Sequence, residues 1–229
     1  MIAMTEPIVE RLFDEHPGEV PIRGFVHRAA SFSDALILTH GASGNCNTPL
    51  LVALAVAFAA SGLNVLRCDL PFRQLHPHGP PSPASAKRDQ DGIRKAVTVM
   101  RQRFSGRVFI AGQSYGGRQA SILVASEPEL VEGLLLLSYP LHPPGRPAQL
   151  RTTHFPNLRT PTLFISGTKD AFGSVEELES AIKLIFAPTR LVQVEGAGHG
   201  LLTKTNQEKV PRLIMEAFDG MFRPNRGAS

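Results

Sequence analysis

The sequence predicts an α/β fold, a mainly parallel sheet with helices on both faces, and three observations carry that prediction. Short β-branched or leucine-rich runs alternate with longer stretches of helical spacing, which is the rhythm of successive βα units. The runs are apolar at consecutive positions rather than at every second one, as strands covered on both faces require. Gly, Asp or Ser stands at or just after the end of several of these runs, where a strand hands over to a turn.

In chain order, segments 8–13 and 20–27 read as extended and are expected to supply an antiparallel edge. Strand 35–39 leads to the apolar run 50–60, bounded by Pro49 and Gly62. That run falls well short of the roughly 20 residues a membrane span needs and reads as a buried helix. Strands 64–68, 108–111, 133–138, 162–166 and 191–194 follow, with helices expected at 84–104, 115–126, 175–186 and 207–221. Ser174 followed by Val175, Glu176 and Glu177 is a capping-box arrangement and fixes a helix start at 175. The Pro-, Gly- and His-rich stretch 71–83 and the stretch 140–161 are expected to be irregular. Neither is long enough to fold as a cap, and no internal repeat is present, so 1–229 is expected to form one domain.

Apolar residues make up 42% of the 229 and charged residues 19%, a balance that excludes a largely disordered chain. The pI of 9.4 would suit nucleic acid, yet the net charge is only +4 and the cations are scattered, so no nucleic-acid partner is expected. Residues 1–15 include Glu6, Glu10, Asp14 and Glu15 and lack the basic-then-apolar order of a secretory leader. A cytoplasmic location is expected. Cys46 and Cys68 read as free buried thiols, and neither stands at metal-ligand spacing from a His or another Cys. No metal or organic cofactor is implied.

Gly112-Gln113-Ser114-Tyr115-Gly116 fits G-x-S-x-G, with a strand before it and a helix after it. The glycines let neighbouring backbone close on a sharp turn that presents Ser114 as a nucleophile. A serine hydroxyl needs a base to take its proton and a carboxylate to hold that base. His199, in the glycine-rich loop after the last strand, is the base. Asp170, just past strand 162–166, is the acid, and no Asp or Glu lies anywhere from 138 to 168 to compete with it. Glu195 is the alternative acid, read instead as a loop anchor. The oxyanion formed on attack needs two N–H donors. Tyr115 supplies one, and the loop His40-Gly41-Ala42-Ser43-Gly44-Asn45 supplies the other through Ala42, with Ser43 as the fallback. His40 reads as a brace for that loop.

With these residues in place the chain resembles the α/β-hydrolase superfamily over nearly its full length. The stretches 40–45, Asp69-Leu70-Pro71-Phe72-Arg73 and Ser138-Tyr139-Pro140-Leu141-His142-Pro143-Pro144 resemble the small capless group within it. That group includes dienelactone-hydrolase-like bacterial members and the domain shared by a testis-expressed protein and a regulatory subunit of the NSL chromatin complex. The resemblance implies a capless hydrolase sheet and a serine hydrolase of the carboxylesterase type, working through an acyl-enzyme on a small ester or thioester. Some members of the group act as scaffolds, so a non-catalytic interaction module is the alternative. Dienelactone hydrolases carry Cys at the nucleophile, where this chain has Ser114.

The loops at the carboxyl ends of the strands are expected to frame the substrate. Phe72, Arg73, Tyr139 and Leu141 are the expected contacts. Two substrate chemistries stay open: Arg73, Arg118, Arg146 and Arg151 can select a carboxylate or phosphate, and Phe72, Leu75, Tyr139, Leu141 and Phe155 can line a site for a short apolar acyl chain.

Overall fold

The computed structural model describes residues 8–30 and 33–224. The part of the leader reading that rests on residues 1–7 lies outside the described residues. Eight strands form one sheet: β1 (Ile8–Asp14), β2 (Ile22–Arg28), β3 (Ala35–Thr39), β4 (Asn64–Cys68), β5 (Val108–Gln113), β6 (Gly133–Leu137), β7 (Thr162–Gly167) and β8 (Thr189–Val194). Their order is β1-β2-β4-β3-β5-β6-β7-β8. β2 pairs antiparallel with both β1 and β4, and every pairing from β4 to β8 is parallel. The antiparallel edge expected from 8–13 and 20–27 is therefore present, with each strand's limits within two residues of the expectation.

Among the described residues six α-helices accompany the sheet: α1 (Pro49–Ala60), α2 (Pro71–Leu75), α3 (Ala86–Arg103), α4 (Tyr115–Ser126), α5 (Val175–Ile182) and α6 (Lys209–Phe222). The consecutive apolar residues of a strand face opposite sides of the sheet, and each side has its own core. Ala35 and Ile37 of β3 join Ile93, Val97, Leu123 and Leu178 beneath α3, α4 and α5. Leu36 and Leu38 join Leu51, Phe58, Ile214 and Phe218 beneath α1 and α6. Phe218 there meets Phe58 and Phe109 edge-on, ring centroids 5.1 Å apart in both pairs. Each such fully buried apolar side chain contributes about 1.5–3 kcal/mol of hydrophobic free energy. Helices thus cover both faces, and no cap layer stands over the strand ends among the described residues.

Two helices depart from the sequence expectation. The stretch 71–83 is not wholly irregular, since Pro71–Leu75 forms a helical turn with Pro71 at its first position. Proline is favoured there because the amide it lacks has no helical partner anyway; the surrounding Pro and Gly concealed the turn. α5 stops at Ile182 rather than 186. Its continuation tightens into i→i−3 bonds from Leu184 to Ala181 and from Ile185 to Ile182 as the chain approaches Pro188. The start of α5 is as expected: the Ser174 hydroxyl accepts the Glu177 N–H at 3.2 Å, and the Glu177 carboxylate accepts the Ser174 N–H at 2.8 Å.

Among the described residues no helix is long and apolar enough to cross a membrane.

Candidate active site

The connection after β3 runs to α1 on one face of the sheet, and the connection after β5 runs to α4 on the other. Two adjacent parallel strands whose connections diverge leave a crevice beyond their carboxyl ends. Ala42 leaves β3 into this crevice and Ser114 leaves β5 into it. A cavity of about 810 Å³ opens there, lined among others by Ala42, Ser114, Tyr115, Phe172 and His199.

Ser114 stands between strand and helix with φ 49° and ψ −112°, a left-handed conformation that costs a non-glycine residue of the order of 1–3 kcal/mol. The turn closes because its neighbours lack side chains. A Cβ on Gly112 would lie 2.4 Å from the Gly117 nitrogen, and one on Gly116 would lie 2.6 Å from the His40 carbonyl oxygen. The Ser114 N–H donates to the Leu137 carbonyl at 2.8 Å, tying the turn to β6.

Asp170 follows β7 and His199 follows β8, and both reach Ser114. His199 Nε2 is 2.8 Å from Ser114 Oγ, and His199 Nδ1 is 2.8 and 3.0 Å from the two Asp170 oxygens. A carboxylate only accepts, so Nδ1 carries the proton and Nε2 is left to accept from the serine hydroxyl. The Asp170 side chain is 1% exposed against 27% for His199, so the orienting charge is shielded from water while the imidazole edge meets the cavity. Asp170 also accepts the Phe172 N–H at 2.9 Å. The Phe172 ring in turn stacks on the imidazole, with centroids 4.0 Å apart and 26° between planes. Glu195, the alternative acid, instead meets Thr168 Oγ1 at 3.3 Å beside the loop that carries His199.

The loop after β3 approaches the turn closely, for a Cβ added to Gly41 would sit 3.5 Å from Ser114 Cβ. The amides of Ala42 and Tyr115 donate to no described acceptor, which leaves both available to a negative oxygen formed at Ser114. His40 is fully buried and braces the loop, with Nδ1–H donating to the Gly41 carbonyl at 2.8 Å and Nε2 accepting the Leu70 N–H at 3.0 Å. Burial holds its pKa below the usual histidine value, in keeping with a neutral ring in that role.

Phe72, Arg73, Tyr139 and Leu141, the expected substrate contacts, do not line this cavity; all four are buried behind its wall. Phe72 packs between His40 and Tyr115. Tyr139 packs on Phe155 and Phe164 and donates its hydroxyl to the Arg151 carbonyl at 2.6 Å. Leu141 lies beneath Gly173, where a Cβ would come within 2.8 Å of the leucine Cβ. Arg73 borders a smaller adjacent cavity of about 300 Å³, but its guanidinium is spent on backbone. It donates to the carbonyls of Ala42 (2.7 Å), Gly44 (2.8 Å), His76 (3.0 Å) and Gly79 (3.0 Å), locking the loop after β3 to the loop after α2. Side chains at strand ends turn inward here, which proximity in sequence does not reveal.

Two supporting residues were not foreseen. Phe172 carries no motif. Asp89 is fully buried on α3, where it accepts the Tyr115 hydroxyl at 2.7 Å and the Phe72 N–H at 2.9 Å. Burial raises its pKa above the ordinary carboxylate value. Its place on a helix otherwise rich in charge hid it.

A family model described as "Alpha/beta hydrolase domain" matches residues 32–221. Among solved structures, a dienelactone hydrolase from Anabaena variabilis superposes with a TM-score of 0.74 at 20% identity, covering 96% of this chain and all of that one. A protein from Xanthomonas campestris, described as an α/β serine hydrolase without lid, superposes with a TM-score of 0.74 at 17% identity, covering 94% and 95% of the two chains. A polyketide synthase of Burkholderia thailandensis is 35% identical over 72 residues, 31% of this chain. The match spans only 3% of that much longer protein.

Proposed function

The chain belongs to the alpha/beta hydrolase domain family, and from that membership we propose that it is a serine-dependent acyl hydrolase of the carboxylesterase type, acting on a small ester or thioester. The observation that carries the proposal is the unbroken chain of contacts from Ser114 through His199 to the buried Asp170 at one wall of the cavity.

Ser114 Oγ attacks the carbonyl carbon while its proton passes to His199 Nε2. Asp170, held dry, keeps the imidazole in the tautomer that can accept and stabilises the imidazolium that results. The carbonyl electrons move onto oxygen, which the Ala42 and Tyr115 amides bind. Collapse of this intermediate expels the alcohol or thiol, protonated by His199, and leaves an acyl group on Ser114. Water then repeats the sequence, and Ser114 and the free acid are released. The small molecule is the only partner this scheme requires. Two free buried cysteines, Cys46 and Cys68, agree with residence in the reducing cytoplasm.

Pre-steady-state hydrolysis of 4-nitrophenyl esters of increasing chain length tests the proposal. The expected result is a burst of nitrophenol stoichiometric with enzyme, strongest for short chains because no cap covers the site among the described residues, and absent in Ser114→Ala. A folded wild type with neither burst nor turnover on the whole series would instead favour the non-catalytic module.

A further inference from the structure

The wall of the active-site cavity holds two arginines, Arg118 and Arg151, and no Asp or Glu. Several other arginines of this chain find acceptors, and those without one, such as Arg88 and Arg146, are exposed. Arg94 is gripped by Glu127 and Asp91, and Arg107 by Asp34. The Arg118 guanidinium makes no hydrogen bond or ion pair among the described residues, and its Nε is buried without an acceptor. Its backbone is fixed beside the nucleophile, since its N–H donates to the Ser114 carbonyl at 2.9 Å. Arg151 is likewise held by its backbone. Its N–H donates to the Leu141 carbonyl at 2.8 Å and its carbonyl accepts the Tyr139 hydroxyl. Its guanidinium has a single long contact, to the Pro140 carbonyl at 3.3 Å.

The two cations also act on each other and on their surroundings. Burial first, and the charge of Arg118 second, hold the pKa of Arg151 below the ordinary arginine value. The same two causes bring nearby His154 down to about 4 and keep it uncharged. A half-buried pair of like charges with no counter-ion among the described residues is unfavourable. An unmatched buried donor likewise calls for an acceptor.

Resting on the hydrolase reading, we infer that the site takes an ester bearing a free carboxylate besides its scissile bond, with Arg118 and Arg151 binding that carboxylate. A carboxylate offers two coplanar acceptor oxygens, which match the donor fork of a guanidinium. Its negative charge lies against both cations and offsets one of their two charges, and its oxygens give the unpartnered Arg118 guanidinium an acceptor. An uncharged ester of the same shape brings no charge, and its carbonyl is the weaker acceptor.

Two pairs of probes test this, each pairing a free acid with its methyl-capped twin. The 4-nitrophenyl half-ester of adipic acid carries the charge on the acyl side, and 4-acetoxybenzoate carries it on the leaving group. In at least one pair the free acid is expected to exceed its twin in kcat/KM by roughly tenfold or more, as hydrogen bonds to a charged group allow. Arg118→Gln and Arg151→Gln should each bring that ratio down towards one. Added salt should erode the ratio in the wild type, which needs no variant to fold. Capped twins used as well as or better than the acids in both pairs would overturn the inference, as would a ratio that neither substitution moves or that salt leaves flat. Fluorophosphonate labelling of the same samples separates the two readings. Labelling without acid preference sinks the carboxylate inference alone, and no labelling of folded wild type sinks the hydrolase reading itself.

Discussion

Replacing Arg73 with Met removes four hydrogen bonds while keeping an apolar stem of similar length over the Phe72 ring, which the guanidinium carbon overlies at 4.9 Å. The four acceptors are backbone carbonyls of two loops that no sheet pairing holds, those of Ala42 and Gly44 and those of His76 and Gly79. Each bond contributes about 1 kcal/mol net, and water entering at the rim recovers part of the loss, so the cost is about 3 kcal/mol. For a chain of this size that is a fall in melting temperature of roughly 6–12 °C. Catalysis should suffer separately. The carbonyl of Ala42 is what Arg73 grips, and its amide is the proposed oxyanion donor; full loss of such a donor costs about 10²–10³ in kcat, and partial displacement should cost about tenfold. Thermal melting followed by circular dichroism, with burst kinetics on a short 4-nitrophenyl ester, reads both effects. Arg73→Lys, with one ammonium for four carbonyls, should fall between the two proteins. An Arg73→Met variant that melts and turns over like the wild type would refute the bracing role and the coupling of that loop to catalysis.

Asp170→Asn should lower turnover by about four orders of magnitude with little change in folding, because an amide can turn its N–H towards His199 Nδ1 and favour the tautomer that cannot accept the serine proton; steady-state rates and a melting curve on one preparation check it. His27 gives a pH prediction. It is buried on β2, where Nε2 accepts from Arg67 Nε at 2.9 Å, and burial first and the Arg67 charge second bring its pKa down from 6.5 to about 4. Because the folded value is the lower one, the neutral ring favours folding fully above pH 6.5. That stability drains away as the pH falls from 6.5 towards 4, by roughly 3 kcal/mol in all. Urea unfolding at pH 7 and at about pH 4.5 should show the loss, and His27→Gln should remove the His27 share of it while the like share of His154 remains. Equal pH dependence in both proteins would contradict the assignment.

Much of this structure was legible because it depends on local pattern. The parallel strands are continuous apolar runs, which only a doubly covered sheet tolerates, and Ser174 with Glu177 announces a helix start within four residues. Ser114 was legible because glycine is required where Gly112 and Gly117 nearly touch. Asp170 and His199 followed from their places after β7 and β8. What was not legible depends on where side chains point at strand ends. Phe72, Tyr139 and Leu141 look like rim residues in the sequence, yet they turn under the loops and pack. Arg73 looks like an anion binder and is consumed by carbonyls, while Arg118, with the same composition-level signal, faces the cavity unmatched. Asp89 and Phe172 shape the site through partners 26 and 27 residues away, Tyr115 and His199, distances across which no motif extends.

The central claim is that Ser114 is a nucleophile activated by His199. Its most direct test is intact-mass analysis after exposure to a fluorophosphonate, followed by peptide mapping. A single adduct on Ser114 is expected in the wild type, none in Ser114→Ala, and strongly slowed labelling in His199→Ala. A folded wild type that takes no label, or takes it on another residue, would contradict it.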